Sequence, residues 1–212
     1  PPDLRRSTLT PTAFAPSPAH PTDTPTETNA ANPQPTSDTR LKPEQWTEWP
    51  VLPELSAYAR EIFRQSGDMG VNGRAFSVVG DCQSAPEVFL GIYATDRYDL
   101  TEQYAYLQET IDFYAGSFDR ISLAVVDGLN AASLLSPTWS DPEQCRPDED
   151  PLACELGRWK PAVVFVNLGT NWPAGGTASD YEVYLRRIVE KVIASGAVPV
   201  LTTKADNIEG DH

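Results

Sequence analysis

Three short segments carry the side chains best suited to chemistry: Gly80-Asp81-Cys82-Gln83-Ser84, Asp127-Gly128-Leu129-Asn130-Ala131 and Gly169-Thr170-Asn171-Trp172. A Gly-Thr-Asn turn at the mouth of a sheet puts the Asn171 amide where it can donate a hydrogen bond to negative charge developing on a substrate oxygen. The same asparagine can equally cap its turn or tolerate a left-handed backbone. Cys145 and Cys154 bracket a loop rich in turn formers and short enough for a disulfide to close, which points to an oxidising compartment. The alternative is a pair of reduced loop cysteines in a cytosolic protein. Cys82 is then the odd cysteine, free or paired outside this sequence. With two histidines, His20 and His212, and no Cys-x-x-Cys, zinc is not expected, and no metal or organic cofactor is implied.

The elements that must position these turns follow from apolar spacing. Leu52, Leu55, Tyr58, Ala59 and Ile62 recur at helical intervals, predicting a helix over 52–65 with Gly67 as its stop signal. Tyr104, Leu107, Gln108 and Ile111 predict a second helix over 101–114, and the stripe Tyr181, Tyr184, Leu185, Ile188, Val189 and Val192 a third over 179–195. Apolar runs at 75–79, 121–126, 161–168 and 197–202 read as buried strands. Continuously apolar strands separated by amphipathic helices call for a parallel sheet covered on both faces, so the fold class is α/β. In open sheets of that class, chemistry collects beyond the carboxyl ends of the strands, where all three segments lie.

Residues 1–43 hold ten of the twenty prolines and nine threonines with few large apolar side chains. They are expected to be an unpacked, disordered stalk or linker, leaving 44–212 as the domain. Arg5, Arg6, Arg40 and Lys42 balance Asp3, Asp23, Glu27 and Asp38, so the net charge of −14 belongs to the remainder. Such a surface repels phosphate backbones, which argues against a nucleic-acid partner. No stretch approaches the roughly 20 consecutive apolar residues of a membrane span. Oligomeric state is not legible.

Taken in order, the segments resemble the SGNH/GDSL hydrolase family over roughly residues 74–207. Val-Val-Gly80-Asp81-Cys82 resembles the first block, a strand ending in Gly-Asp-Ser whose serine is the nucleophile. Gly128-Leu129-Asn130-Ala131 resembles the second, and Gly169-Thr170-Asn171 the third, Gly-x-Asn. The resemblance implies a three-layer α/β/α, flavodoxin-like fold with a mainly parallel sheet, and nucleophilic attack on carboxylic esters of small acyl groups, lipids or acylated carbohydrates. Cys82 would stand in the nucleophile position, since a thiolate attacks acyl carbons once a neighbouring group lowers its pKa. Asp81 would set the turn, and the oxyanion would receive the N–H groups of Cys82 and of Ala131 or Gly128, plus the Asn171 amide. Ser84 is a fallback nucleophile. Trp172 replaces the family's usual Asp, as a stacking surface for a sugar ring or acyl chain, or as a lid.

The family's late block, Asp-x-x-His, supplies the imidazole base. Glu209-Gly210-Asp211-His212 mimics its spacing, but follows the fourth strand directly, whereas the family interposes a helix and a strand. The base and the final part of the fold are therefore expected beyond residue 212, with the sequence in hand inactive alone. The implied setting is secreted or cell-surface. A rival reading is a hydrolase scaffold without catalysis that binds glycan or cell-wall material through Trp172.

Overall fold

A computed structural model describes residues 42–173 and 175–203. The chain divides into two units, Pro1–Val51 and Leu52–His212. The described part of the first carries a short 3-10 segment, Pro43–Glu48, in which Lys42 donates its N–H to the Gln45 side chain. The expected stalk lies outside the described residues up to residue 41.

The second unit is a mixed α/β fold. Its strands are β1 (Asn72–Gly80), β2 (Pro161–Asn167) and β3 (Val198–Leu201), all parallel and hydrogen-bonded in the order β1-β2-β3. The helices are α1 (Ala57–Ser66), α2 (Leu107–Phe113), α3 (Pro151–Trp159) and α4 (Ala178–Ala194). Successive strand residues point to opposite faces. Val79, Val164 and Val166 accordingly join one buried cluster with Leu152 and Leu156 of α3 and Ile188 and Val192 of α4. Phe76 joins another with Ile111 of α2 and Phe118, against which Val78, Val163 and Phe165 pack.

Local chemistry explains where the helices begin. Ser56 caps α1 by accepting from the Ala59 N–H, so this helix starts five residues later than apolar spacing alone predicts. Thr177 and Asp180 form a reciprocal capping box on α4. Of the helix expected over 101–114, only Leu107–Phe113 is α-helical, after a 3-10 turn at Glu102–Tyr104. Helix α3 was not anticipated, because its residues read as a disulfide loop. Its start signals are nonetheless present: Asp150 accepts from the Ala153 N–H at 2.8 Å, and Pro151 occupies the first turn.

The strand expected over 121–126 is reduced to one parallel bridge, Gly80 to Val125. Its backbone is committed elsewhere: Val125 donates to the Ser122 carbonyl, Ala124 to the Ser122 hydroxyl, and Leu123 to the Glu155 carboxylate. Glu155, fully buried on α3, also accepts from the Ser77 hydroxyl at 2.5 Å and pairs with Arg120 at 2.7 Å. This carboxylate therefore fastens α3 to both β1 and the 120–126 segment.

Candidate functional site

Strands β1 and β2 finish level, Gly80 opposite Asn167, and Val125 bridges to Gly80 on the other side. The turns after these three segments consequently leave from one rim. Gly80 permits the close approach, because a Cβ there would meet the Ser84 hydroxyl at 2.1 Å and the Asn167 carbonyl at 2.2 Å.

Asp81 organises the rim. It is 2% exposed, and one carboxylate oxygen accepts from the Gln83 N–H at 2.9 Å, capping the 3-10 turn Cys82–Ser84. The other oxygen accepts from the Asn171 amide at 2.9 Å. Asn171 Nδ2 also donates to the Leu129 carbonyl at 3.3 Å. One amide thus ties together all three turns singled out from the sequence. Because Nδ2 carries two hydrogens, both are already engaged.

Cys82 is an exposed free thiol. Hydrogen bonding toward the Asp127 carboxylate, then burial, then the negative charges of Asp81 and Asp127 raise its pKa above the ordinary thiol value. The neutral thiol is therefore favoured at neutral pH. A nucleophilic thiolate needs the opposite surroundings, a cation or a base beside the sulfur. No histidine falls among the described residues; His20 and His212 lie outside them.

The other residues singled out from the sequence separate by exposure. Ala131 is fully buried, whereas Gly128, with φ +76°, is exposed beside Asp127. Ser84 is 2% exposed and its hydroxyl faces the Asn167 carbonyl, so it points away from solvent. Trp172 is half-buried, its ring edge-on to Tyr181 at 5.3 Å and 5.9 Å from Tyr184, with its indole N–H buried and without a partner among the described residues. Cys145 and Cys154 form a disulfide with Cα atoms 5.5 Å apart.

Compared with protein-family models, curated proteins and solved structures, the chain matches none. Its function must therefore be argued from its own residues.

Among the described residues, no group of three or more His, Cys, Asp or Glu side chains is placed to hold a metal ion, and no helix is long and apolar enough to cross a membrane. Sequence reasoning gave no role to Asp127 or to the Leu129 carbonyl. Asp127 carried a signal, an acid at the end of an apolar run; a backbone carbonyl carries none.

Proposed function

We propose that residues 44–212 belong to an SGNH/GDSL-like hydrolase domain of three-layer α/β/α architecture, secreted or displayed at the cell surface, that acts on carboxylic esters. The observation carrying this reading is the Asn171 amide, bonded at once to Asp81 and to the Leu129 carbonyl. It supports a common rim for the three turns that resemble the family's blocks. In this reading the Cys82 sulfur, once deprotonated, attacks the ester carbonyl carbon and the alkoxide leaves with a proton. Water then hydrolyses the thioester. N–H groups of Cys82 and Gly128 and the Asn171 amide receive the oxyanion; exposure favours Gly128 over buried Ala131 for that role. The Asn171 amide must exchange one present partner to do so.

A second reading has specific support. Asp127 keeps the thiol protonated, and both Asn171 hydrogens are spent internally, which fits a hydrolase scaffold that binds glycan without turnover. Hydrolysis of p-nitrophenyl acetate and butyrate by the complete gene product, as wild type, Cys82→Ala and Cys82→Ser, separates the two. The hydrolase reading expects turnover that Cys82→Ala abolishes. Absence of turnover in the wild type overturns it.

A further inference from the structure

The best-furnished concavity lies away from Cys82, on the flank of the 121–126 segment. It measures about 450 Å³ and is lined by two tryptophans, Trp139 and Trp159, by Ile121, and by the polar residues Ser140, Asp141 and Gln144. Neither Cys82 nor Asp127 nor Asn171 lines it. The volume is within the roughly 300–1,000 Å³ of small-molecule sites, and so is the composition, apolar walls with a few convergent polar groups.

Both tryptophans are unusually open for their size, Trp139 at 39% and Trp159 at 45% exposure. The Arg120 guanidinium covers part of the Trp159 ring at 4.3 Å, which orients the ring without burying it. An exposed indole offers a flat apolar surface with a polar edge. Two on one concavity that is also lined by Ser140, Asp141 and Gln144 suit a ligand with apolar faces and hydroxyl edges.

The polar lining is fixed before any ligand arrives. One Asp141 oxygen accepts from the Glu143 N–H and the other from the Gln144 side chain, both at 2.8 Å. The Gln144 bond first, then the Glu143 N–H, hold the Asp141 carboxyl below its ordinary range, so it is an ionised acceptor across neutral pH. Ser140 donates its hydroxyl to the Glu149 carbonyl at 2.5 Å, and Arg158 bonds the Gln144 carbonyl. The Cys145–Cys154 disulfide then joins this loop to α3, whose last residue is Trp159. Both tryptophans and the polar lining thus belong to one cross-linked unit, which reduces the ordering cost of binding.

We infer that the Trp139–Trp159 groove is a carbohydrate-binding site, taking a neutral oligosaccharide whose pyranose faces stack on the indoles while Asp141 and Gln144 hydrogen-bond its hydroxyls. Neutrality follows from the Asp141 carboxylate and the net charge of −14, which repel anionic sugars. The inference is independent of ester hydrolysis and of Trp172.

Calorimetric and tryptophan-fluorescence titration of the 212-residue chain with cellohexaose, xylohexaose and hexagalacturonate tests it. Saturable binding of a neutral hexasaccharide is expected, weakened about tenfold or more by Trp139→Ala and unchanged by Trp172→Ala. Asp141→Asn, which preserves shape, is expected to weaken binding as well and covers the case in which Trp139→Ala misfolds. Failure of both neutral sugars to bind overturns the inference. So does preference for hexagalacturonate, wild-type affinity in a folded Trp139→Ala or Asp141→Asn variant, or equal loss in Trp172→Ala.

Discussion

Asp127 controls the chemistry that Cys82 can perform. The Asp127 carboxylate beside the thiol, with the Asp81 charge nearby, disfavours a further negative charge on sulfur. Removing the Asp127 charge must therefore lower the thiol pKa. Asp127→Asn is expected to increase the rate of Cys82 alkylation by iodoacetamide at pH 8 and to shift the pH–rate midpoint downward; an unchanged midpoint would show that Asp127 does not hold the thiol pKa up. Asn171 is a separate case, since it is structural whatever its role in catalysis. Asn171→Ala strips a donor from a buried Asp81 oxygen and from the Leu129 carbonyl, and an unsatisfied buried acceptor costs about 1–3 kcal/mol. Urea unfolding measures that loss independently of any activity. The Asn171 amide was legible as a donor from its Gly-Thr-Asn turn, but its present acceptors were not, because they come from residues 42 and 90 positions away.

Between elements, the decisive contact is a buried charge. Glu155 receives the Ser77 hydroxyl, the Leu123 N–H and Arg120, which also donates to Ser77 at 2.7 Å. Glu155→Ala leaves Arg120, itself largely buried, without its partner, a change that costs about 3–5 kcal/mol in comparable pairs. Chemical denaturation is expected to show that loss, together with release of the 120–126 segment as faster amide exchange at Leu123. The same contact explains why residues 121–126 look like a strand and make only one bridge. Their apolar pattern is correct for burial beside β1, and Ala124 is indeed fully buried, but Glu155 and Ser122 take the backbone groups a ladder would need. By contrast β2 and α4 are close to their sequence reading. The β2 backbone pairs with β1 on one side and β3 on the other, and the Thr177–Asp180 box fixes the α4 start.

For the molecule as a whole, the disulfide and the charge network make the 139–159 region one unit with the sheet. Reduction of Cys145–Cys154 opens a short loop whose closure is worth about 2–3 kcal/mol, and the expected result is a lower Tm in dithiothreitol with weaker sugar binding at the Trp139–Trp159 groove. Cys145→Ser/Cys154→Ser should reproduce both effects without reductant. The sequence by itself determined the α/β class, the apolar runs that became β1, β2 and β3, the long helix between the last two, and a Cys145–Cys154 loop short enough for a disulfide to close. Those features depend on period, punctuation and short separation, all of which are local. Only the tertiary structure decided that the Asp127 carboxylate would stand beside the Cys82 thiol, that Glu155 would be buried against Arg120, and that Trp139 and Trp159 would line one groove. Each of those outcomes joins residues far apart in the chain or aims a side chain across a turn, and neither distance nor direction is encoded in spacing along the sequence.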